Sequence, residues 1–567
     1  MEKDIIVGLC LGHNPSIAII KNGSLVFAFE QEKVSHIKNQ HFFIKEAVKT
    51  ALDFCKISPK DITAIGIHAD PNFYAGLNKQ LLPLKFELAP WAYSLFLKYI
   101  IPKKFWLRHL GFDPNTPVVF QQHHKCHAAE AFFQSVFKDS AVLVLDGRGE
   151  NESTSVWNAK ENTLTPLYRE PPSVSVGYFY LIFTSFLGFK YGDEYKVMGL
   201  ASYGKPIFKD RILKFFELMK DEKKKAEILD DPYLFDLTLH CFSLKKITKP
   251  PSNSLFSKFV KNWPLTFKEK ADIAASLQTA TEDIVLQYIK DLKKHMPKQK
   301  NICLSGGVAQ NSVLNGRIAL ESGFDNVFIS SCPNDAGTAV GAAILTANQI
   351  GCKLNLNLNN TTANPFLGPN ISNDGLDQIL DEANVNYKYL KDPFKHVAKL
   401  IFDGEFVGVA RGRAEFGPRA LGNRSIIANP SDASVLNKLN MIKGRESFRP
   451  LAPSVKAEHA SRYFFCKEMT SPYMSFVFKA KRITKQLAPA IVHVDGSCRV
   501  QTVKKTFQPD YWHLLDCFES YSGFSILLNT SLNLAGDPLV ATEKDALSMF
   551  KRSKLKYLLL GDYLVEQ

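Results

Sequence analysis

The chain has 567 residues, 45% apolar and 22% charged, too long for one ordinary core and too apolar for a disordered or fibrous chain. Its excess of 14 positive charges suits nucleic acid, anionic small substrates or mere solubility, so charge alone selects no partner. Ten cysteines, never spaced as CxxC, exclude a disulfide framework and a thiolate zinc site and predict reduced thiols.

The first residues, MEKDIIVGLCLGHNPS, lack the layout of a signal peptide, so a cytoplasmic location is expected. A β-meander is predicted from Ile5–Leu11, Ser16–Ile20, a Lys21-Asn22-Gly23 turn and Leu25–Glu30, each run rich in β-formers. Phe43–Cys55 has the pattern of an amphipathic helix. The most apolar stretch, Pro90–Pro102, is broken by Lys98 and is shorter than the ~20 residues of a membrane span. The meander plan returns in Ala141–Leu145, Ser153–Trp157 and Leu164–Tyr168, which reads either as an internal duplication or as two unrelated hairpins. A long helix is expected over Lys270–Met296. The Asn-, Pro- and Gly-rich passage Lys353–Asp374 is the linker candidate, and the remainder of the chain alternates helix-like and strand-like runs, as in a second α/β domain.

Six segments carry the residue types of chemistry. Gln121–Phe133 is helix-like, so His123 and His127 at i and i+4 share a face and can converge on a metal, with His124 as a substitute. Asp146 ends the following apolar run and would complete a two-His, one-carboxylate set, although the same histidines also suit a plain helix start. Asn301–Arg317 reads as strand, Ser-Gly-Gly turn and helix, a geometry that offers backbone N–H groups to an anion. A second polar turn, Ser331–Gly337, carries Asp335 toward the same place. Arg411–Ser425 and Lys443–Pro453 set cations among Gly and Pro, on loops where they can converge on phosphate or carboxylate. Asn529–Pro538 offers Asn, Thr and Ser at a strand end, suited to orienting a small carbonyl group.

Taken in order, GLCLGHNPS with His13, the Gln121–His127 run, DGRGE, EYKVMGLASYG, LSGGVAQN, CPNDAG, GPRALGNRS, KGRESFRPLAPSV, DGSCRVQTV and NTSLN resemble the ATP-dependent O-carbamoyltransferases. That family includes Nod-factor, cephalosporin and tobramycin carbamoylating enzymes. The resemblance implies an α/β chain with an N-terminal actin-like domain (duplicated RNase H-like, an ATPase fold) over residues 1–352, a linker over 353–374 and a YrdC-like domain over 375–567. It implies ATP and carbamoyl phosphate as substrates, carbamoyl adenylate made in the second domain, and transfer to a hydroxyl of a small-molecule acceptor in the first.

By motif matching, His13 would be the general base and Lys38 would contact the adenylate. His123, His127, Asp146 and Asp335 would hold a divalent metal, iron first and Mg or Mn as alternatives. Gly306, Gly307 and Asn311, with Asp335, would lie near the nucleotide. Lys443, Arg445, Arg449, Arg499, Ser531 and Asn533 would grip carbamoyl phosphate and the ATP phosphates. Asn14 stands where an acidic residue is expected beside the base. No nucleic acid or membrane partner is expected, and a homodimer is the base-rate oligomer. The competing readings are a threonylcarbamoyl-transfer protein acting on tRNA and a nucleotide-binding regulator without catalysis.

Overall fold

The computed structural model describes residues 4–40, 44–70, 102–221, 223–224, 228, 230–241, 243, 245–260, 263–355, 363–467 and 469–567. The apolar stretch up to residue 101, Phe43 and part of the linker candidate (356–362) lie outside the described residues. No described helix is long and apolar enough to cross a membrane.

Two five-stranded sheets form the N-terminal lobe. The first contains β1 (Ile5–Cys10), β2 (Ser16–Lys21), β3 (Ser24–Glu30), β4 (Ala64–His68) and β5 (Val118–Gln121), in the order β3-β2-β1-β4-β5. The second contains β6 (Asp139–Leu145), β7 (Thr154–Lys160), β8 (Thr163–Glu170), β9 (Asn301–Ser305) and β10 (Asn326–Ile329), in the order β10-β9-β6-β7-β8. In each, the first three strands form an antiparallel meander, and the fourth and fifth add in parallel on the other side of the first. The duplication is therefore present in the topology, and the reading of two unrelated hairpins falls. Both opening strands are buried along their length apart from the exposed Asp139 that starts β6, because helices cover the sheet faces and leave no polar side to alternate toward.

A helix follows the last strand of each half: His123–Gln134 after β5 and Thr338–Gln349 after β10. They pack on each other and cross-brace the halves, the second lying on β1 and β4, the first on β6 and β9. Small residues make this approach close. A Cβ on Gly341 would lie 1.9 Å from the Cys126 carbonyl oxygen, and one on Gly8 would lie 1.9 Å from that of Ala339. The expected long helix spans Phe267–His295 and begins in a capping box made by Thr266 and Glu269.

In the C-terminal lobe, β11 (Phe366–Ile371) pairs with β14 (Gly412–Glu415), so the segment read as linker contains a strand. The main sheet has nine strands: β12 (Asn386–Tyr389), β13 (Val407–Ala410), β15 (Arg424–Ala428), β16 (Ala452–Lys456), β17 (Phe476–Lys479), β18 (Ser497–Val503), β19 (Ile526–Ser531), β20 (Tyr557–Leu560) and β21 (Tyr563–Glu566). Their order, β12-β21-β20-β13-β15-β19-β16-β18-β17, is mixed, with β13 parallel to β20 and β16 parallel to β18. The apolar core is continuous between lobes: Leu314 and Ile318, on the helix Ser312–Glu321, belong to the same buried cluster as Phe476 and Phe478 of β17. Gly316 makes the contact, since a Cβ there would sit 2.1 Å from the Val477 carbonyl oxygen.

Candidate active site

A cavity of about 800 Å³ opens between the lobes. His13, Lys38, His123, Asp146, Gly307, Asn311 and Asp335 line it from one side, and Lys443, Arg445, Arg449, Arg499, Ser531 and Asn533 from the other. Of the residues singled out in the sequence, Gly306 and His127 do not line it.

Gln122 follows β5 in an extended conformation and caps the helix, which begins at His123, whose N–H donates to Glu150 Oε1 at 2.8 Å. The i, i+4 spacing brings the two Nε2 atoms of His123 and His127 to 3.1 Å. Asp146 leaves the end of β6 and puts Oδ2 3.4 Å from His123 Nε2. Asp335, in the turn after β10, puts Oδ1 3.7 Å from His123 Nε2 and 3.5 Å from His127 Nε2. Four ligand atoms, one per residue, lie within 4.8 Å of one another. Ligands ~2.1 Å from a metal are separated by ~3.0–3.4 Å, so this set needs only slight contraction to hold a divalent ion. Imidazole with carboxylate suits iron, manganese and zinc, while soft thiolate sites differ.

The network around His127 favours that use. Its Nδ1 lies 3.1 Å from Ser305 Oγ, which lies 3.2 Å from Glu130 Oε2 and 3.3 Å from the Pro333 carbonyl, an obligate acceptor. With Ser305 donating to that carbonyl, its oxygen accepts from His127 Nδ1–H, which leaves the Nε2 lone pair facing the cluster. With no ion present, burial drives the His123 pKa down, but the Asp146 and Asp335 carboxylates outweigh it and lift the imidazole to about 9. Burial opposes ionisation of Asp146 as well, yet the three neighbouring imidazoles hold its carboxyl below the ordinary range. His13 lies beside Tyr191, ring centroids 5.2 Å apart. Burial lowers its pKa, and the pull of Asp335 and Asp146 only partly restores it, so its imidazole is neutral at pH 7.

The Ser-Gly-Gly turn corrects an expectation. Gly306 N–H donates to the Pro333 carbonyl at 2.8 Å and Gly307 N–H to Asp146 Oδ1 at 2.8 Å. These two amides are taken up within the protein, one by the Asp146 carboxylate, and are not left for a bound anion; the turn instead fixes Asp146. Asn311 caps the Ser312–Glu321 helix, accepting from Leu314 N–H at 3.1 Å.

The opposite wall is cationic. Lys443 Nζ donates to the Asn533 carbonyl at 2.8 Å, to Asn533 Oδ1 at 2.9 Å and to the Ser531 carbonyl, which ties together the residues read from KxR and SxN. Burial, then Arg445, Arg449 and Lys38, hold its pKa well below the lysine range. Arg445 Nε donates to Asn440 Oδ1 at 2.6 Å, while its Nη2, like Arg499 Nε, is buried without a hydrogen-bond partner. Burial and neighbouring arginines lower Arg445 to about 9 and Arg419 to about 10. Buried, mutually repelling donors of this kind are satisfied by an anion.

Sequence reasoning does not single out Arg419, Tyr191 or Tyr195, all of which line the cavity. Tyr195 joins the walls: Lys38 Nζ lies 5.7 Å from its ring centroid and the Arg449 guanidinium 4.8 Å. Position in a loop bounded by Gly417-Pro418 and Gly422 was the available signal for Arg419.

Two family models match the chain. Residues 5–344 match the family described as Carbamoyltransferase N-terminus and residues 398–567 the one described as Carbamoyltransferase C-terminus. An uncharacterized protein of Synechocystis sp. is 35% identical over 98% of this chain and 95% of its own. Nodulation protein NolNO of Sinorhizobium fredii is 31% identical, covering 98% of this chain and 79% of that protein. The 3'-hydroxymethylcephem-O-carbamoyltransferase of Streptomyces clavuligerus is 30% identical over 52% of this chain and 54% of its own. The chain, matched at both of its lobes, belongs to the carbamoyltransferase family and is a transferase.

Proposed function

We propose that the protein is an O-carbamoyltransferase that spends ATP and carbamoyl phosphate to carbamoylate a hydroxyl of a small-molecule acceptor. The observation that carries the reading is the shared cavity, with buried guanidinium nitrogens of Arg445 and Arg499 that lack hydrogen-bond partners on one wall and a two-His, two-Asp cluster beside a neutral imidazole on the other. A domain of YrdC type, as the sequence resemblance implies, would supply the cationic wall.

In this scheme water converts carbamoyl phosphate to carbamate and phosphate at the cationic wall. A carbamate oxygen then attacks the α-phosphorus of ATP, the bond to the β-phosphate breaks, and pyrophosphate leaves carbamoyl adenylate. Arg445 and Arg499 neutralise the phosphate oxygens, and Lys443 holds Ser531 and Asn533 in place. At the other wall His13 takes the proton of the acceptor hydroxyl, whose oxygen attacks the carbamoyl carbon as AMP departs. His123, His127, Asp146 and Asp335 would hold a divalent metal, whose chemistry when bound is to neutralise the departing nucleotide phosphate. Lys38 and Tyr195 would flank the nucleotide.

Purified protein given ATP, carbamoyl phosphate and Fe²⁺ or Mn²⁺ is expected to release phosphate, pyrophosphate and AMP. Release of ADP, or no dependence on carbamoyl phosphate, would overturn the scheme.

A further inference from the structure

The peptide of Gly417, in the C-terminal lobe, is held at both ends by the N-terminal lobe. Glu30 Oε1 accepts from its N–H at 2.7 Å, and Lys33 Nζ donates to its carbonyl at 3.0 Å. Lys33 also donates to the Glu415 carbonyl at 2.7 Å, and its Nζ forms an ion pair with Glu30 Oε2 at 2.9 Å. The two side chains are 2% and 7% exposed. Burying such charges is costly, and the ion pair and the bonds to the Gly417 peptide offset that cost.

The held residue starts the loop that carries Arg419. Gly417 has φ 115°, and a Cβ on it would lie 2.2 Å from the Ser331 carbonyl oxygen, at the base of the turn that carries Asp335. Only glycine fits both demands. Pro418 then fixes the next φ. From within its own lobe Glu415 Oε1 pins the far end of the loop, accepting from the N–H groups of Leu421, Asn423 and Arg424 at 2.8, 3.0 and 3.1 Å. The backbone on either side of Arg419 is thus fixed, one side by the opposite lobe, while the side chain lines the cavity.

We propose that Glu30 and Lys33 are positioning residues that set Arg419 at the phosphate-binding wall from across the lobe boundary. This rests on the reading of that wall as the place where carbamoyl phosphate and ATP phosphates bind. The pair keeps the guanidinium in reach of the anion and in register with the Asp335 turn.

A double-mutant cycle tests it. Inorganic pyrophosphate is titrated calorimetrically into the full-length wild type, Lys33→Met, Arg419→Met and the double variant. Each single change is expected to weaken binding on the order of tenfold, and the double variant to match Arg419→Met within about twofold. An equal further loss from Lys33→Met in the Arg419→Met background overturns the proposal, as do unchanged binding in Lys33→Met and absence of pyrophosphate binding by the wild type. Should Lys33→Met not fold, Glu30→Gln is measured in the same two backgrounds and read by the same rule. AMP formation from ATP and carbamoyl phosphate, followed separately on the wild type, reports on the underlying function without deciding the cycle.

Discussion

A serine that donates to the Pro333 carbonyl sets which nitrogen of His127 faces the two-His, two-Asp cluster. Ser305→Ala removes the acceptor for His127 Nδ1–H without touching a ligand. It is expected to weaken Mn²⁺ affinity by about 10–100-fold, measured by chelator competition, with circular dichroism unchanged. Affinity equal to wild type would remove this role for Ser305. At this scale the histidine pair was legible, because i, i+4 spacing on a helix is local information. Arg419 was not: the same stretch holds Arg411, Arg413 and Arg424, and a place between Gly417-Pro418 and Gly422 marks a loop without saying that its arginine faces a cavity. Arg424 is fully buried and donates to the carbonyls of Arg411, Gly412, Asn423 and Ala541, which is structural work. The difference arises only when the sheet closes around one arginine and leaves the other at the cavity.

Elements meet where glycine permits, and two glycines should respond to alanine with opposite sign. Gly341→Ala drives a methyl into the Cys126 carbonyl where the two bracing helices cross, and overpacking of this kind costs about 1–3 kcal/mol or more. Gly199, inside the helix Glu194–Ala201, would meet only Pro450 Cδ at 3.5 Å, so alanine there is expected to gain up to about 1 kcal/mol from helix propensity. Urea unfolding checks both, and a neutral Gly341→Ala would remove the bracing account. The two meanders were readable because hairpins join neighbours in sequence. The order of the C-terminal sheet was not, since β13 at Val407–Ala410 takes its parallel partner from β20 at Tyr557–Leu560. Such a pairing leaves no periodic trace in either strand. The strand Phe366–Ile371 hid for a related reason: its partner, Gly412–Glu415, lies beyond several intervening elements, and its Gly and Pro read as a breaker.

For the whole molecule, buried titratable groups set a stability profile in pH. In the metal-free chain His123 sits at about 9 against an ordinary 6.5, so its contribution is complete below pH 6.5 and is lost as pH rises through 9. Burial pushes Glu130 up to about 8 from 4.5, and its contribution falls in the same direction. On the acid side, burial and the neighbouring His123 hold His68 at about 3, and burial holds His493 at about 4. Both stay neutral when folded, so stability falls as pH drops below 6.5, where the unfolded chain takes up their protons. Between pH 7 and 9 the His123 and Glu130 terms both lower stability, so melting temperature in the presence of EDTA is expected to fall over that range; a steady rise from pH 7 to 9 would contradict these assignments.

The buried cluster that runs from Leu314 and Ile318 into Phe476 and Phe478, with Gly316 against the Val477 carbonyl, has a mechanical meaning. Lobes welded along such a seam do not swing like jaws, since parting them would wet the seam. In the proposed scheme, an intermediate formed against one wall would therefore be consumed at the other without any hinge having to open between the two events.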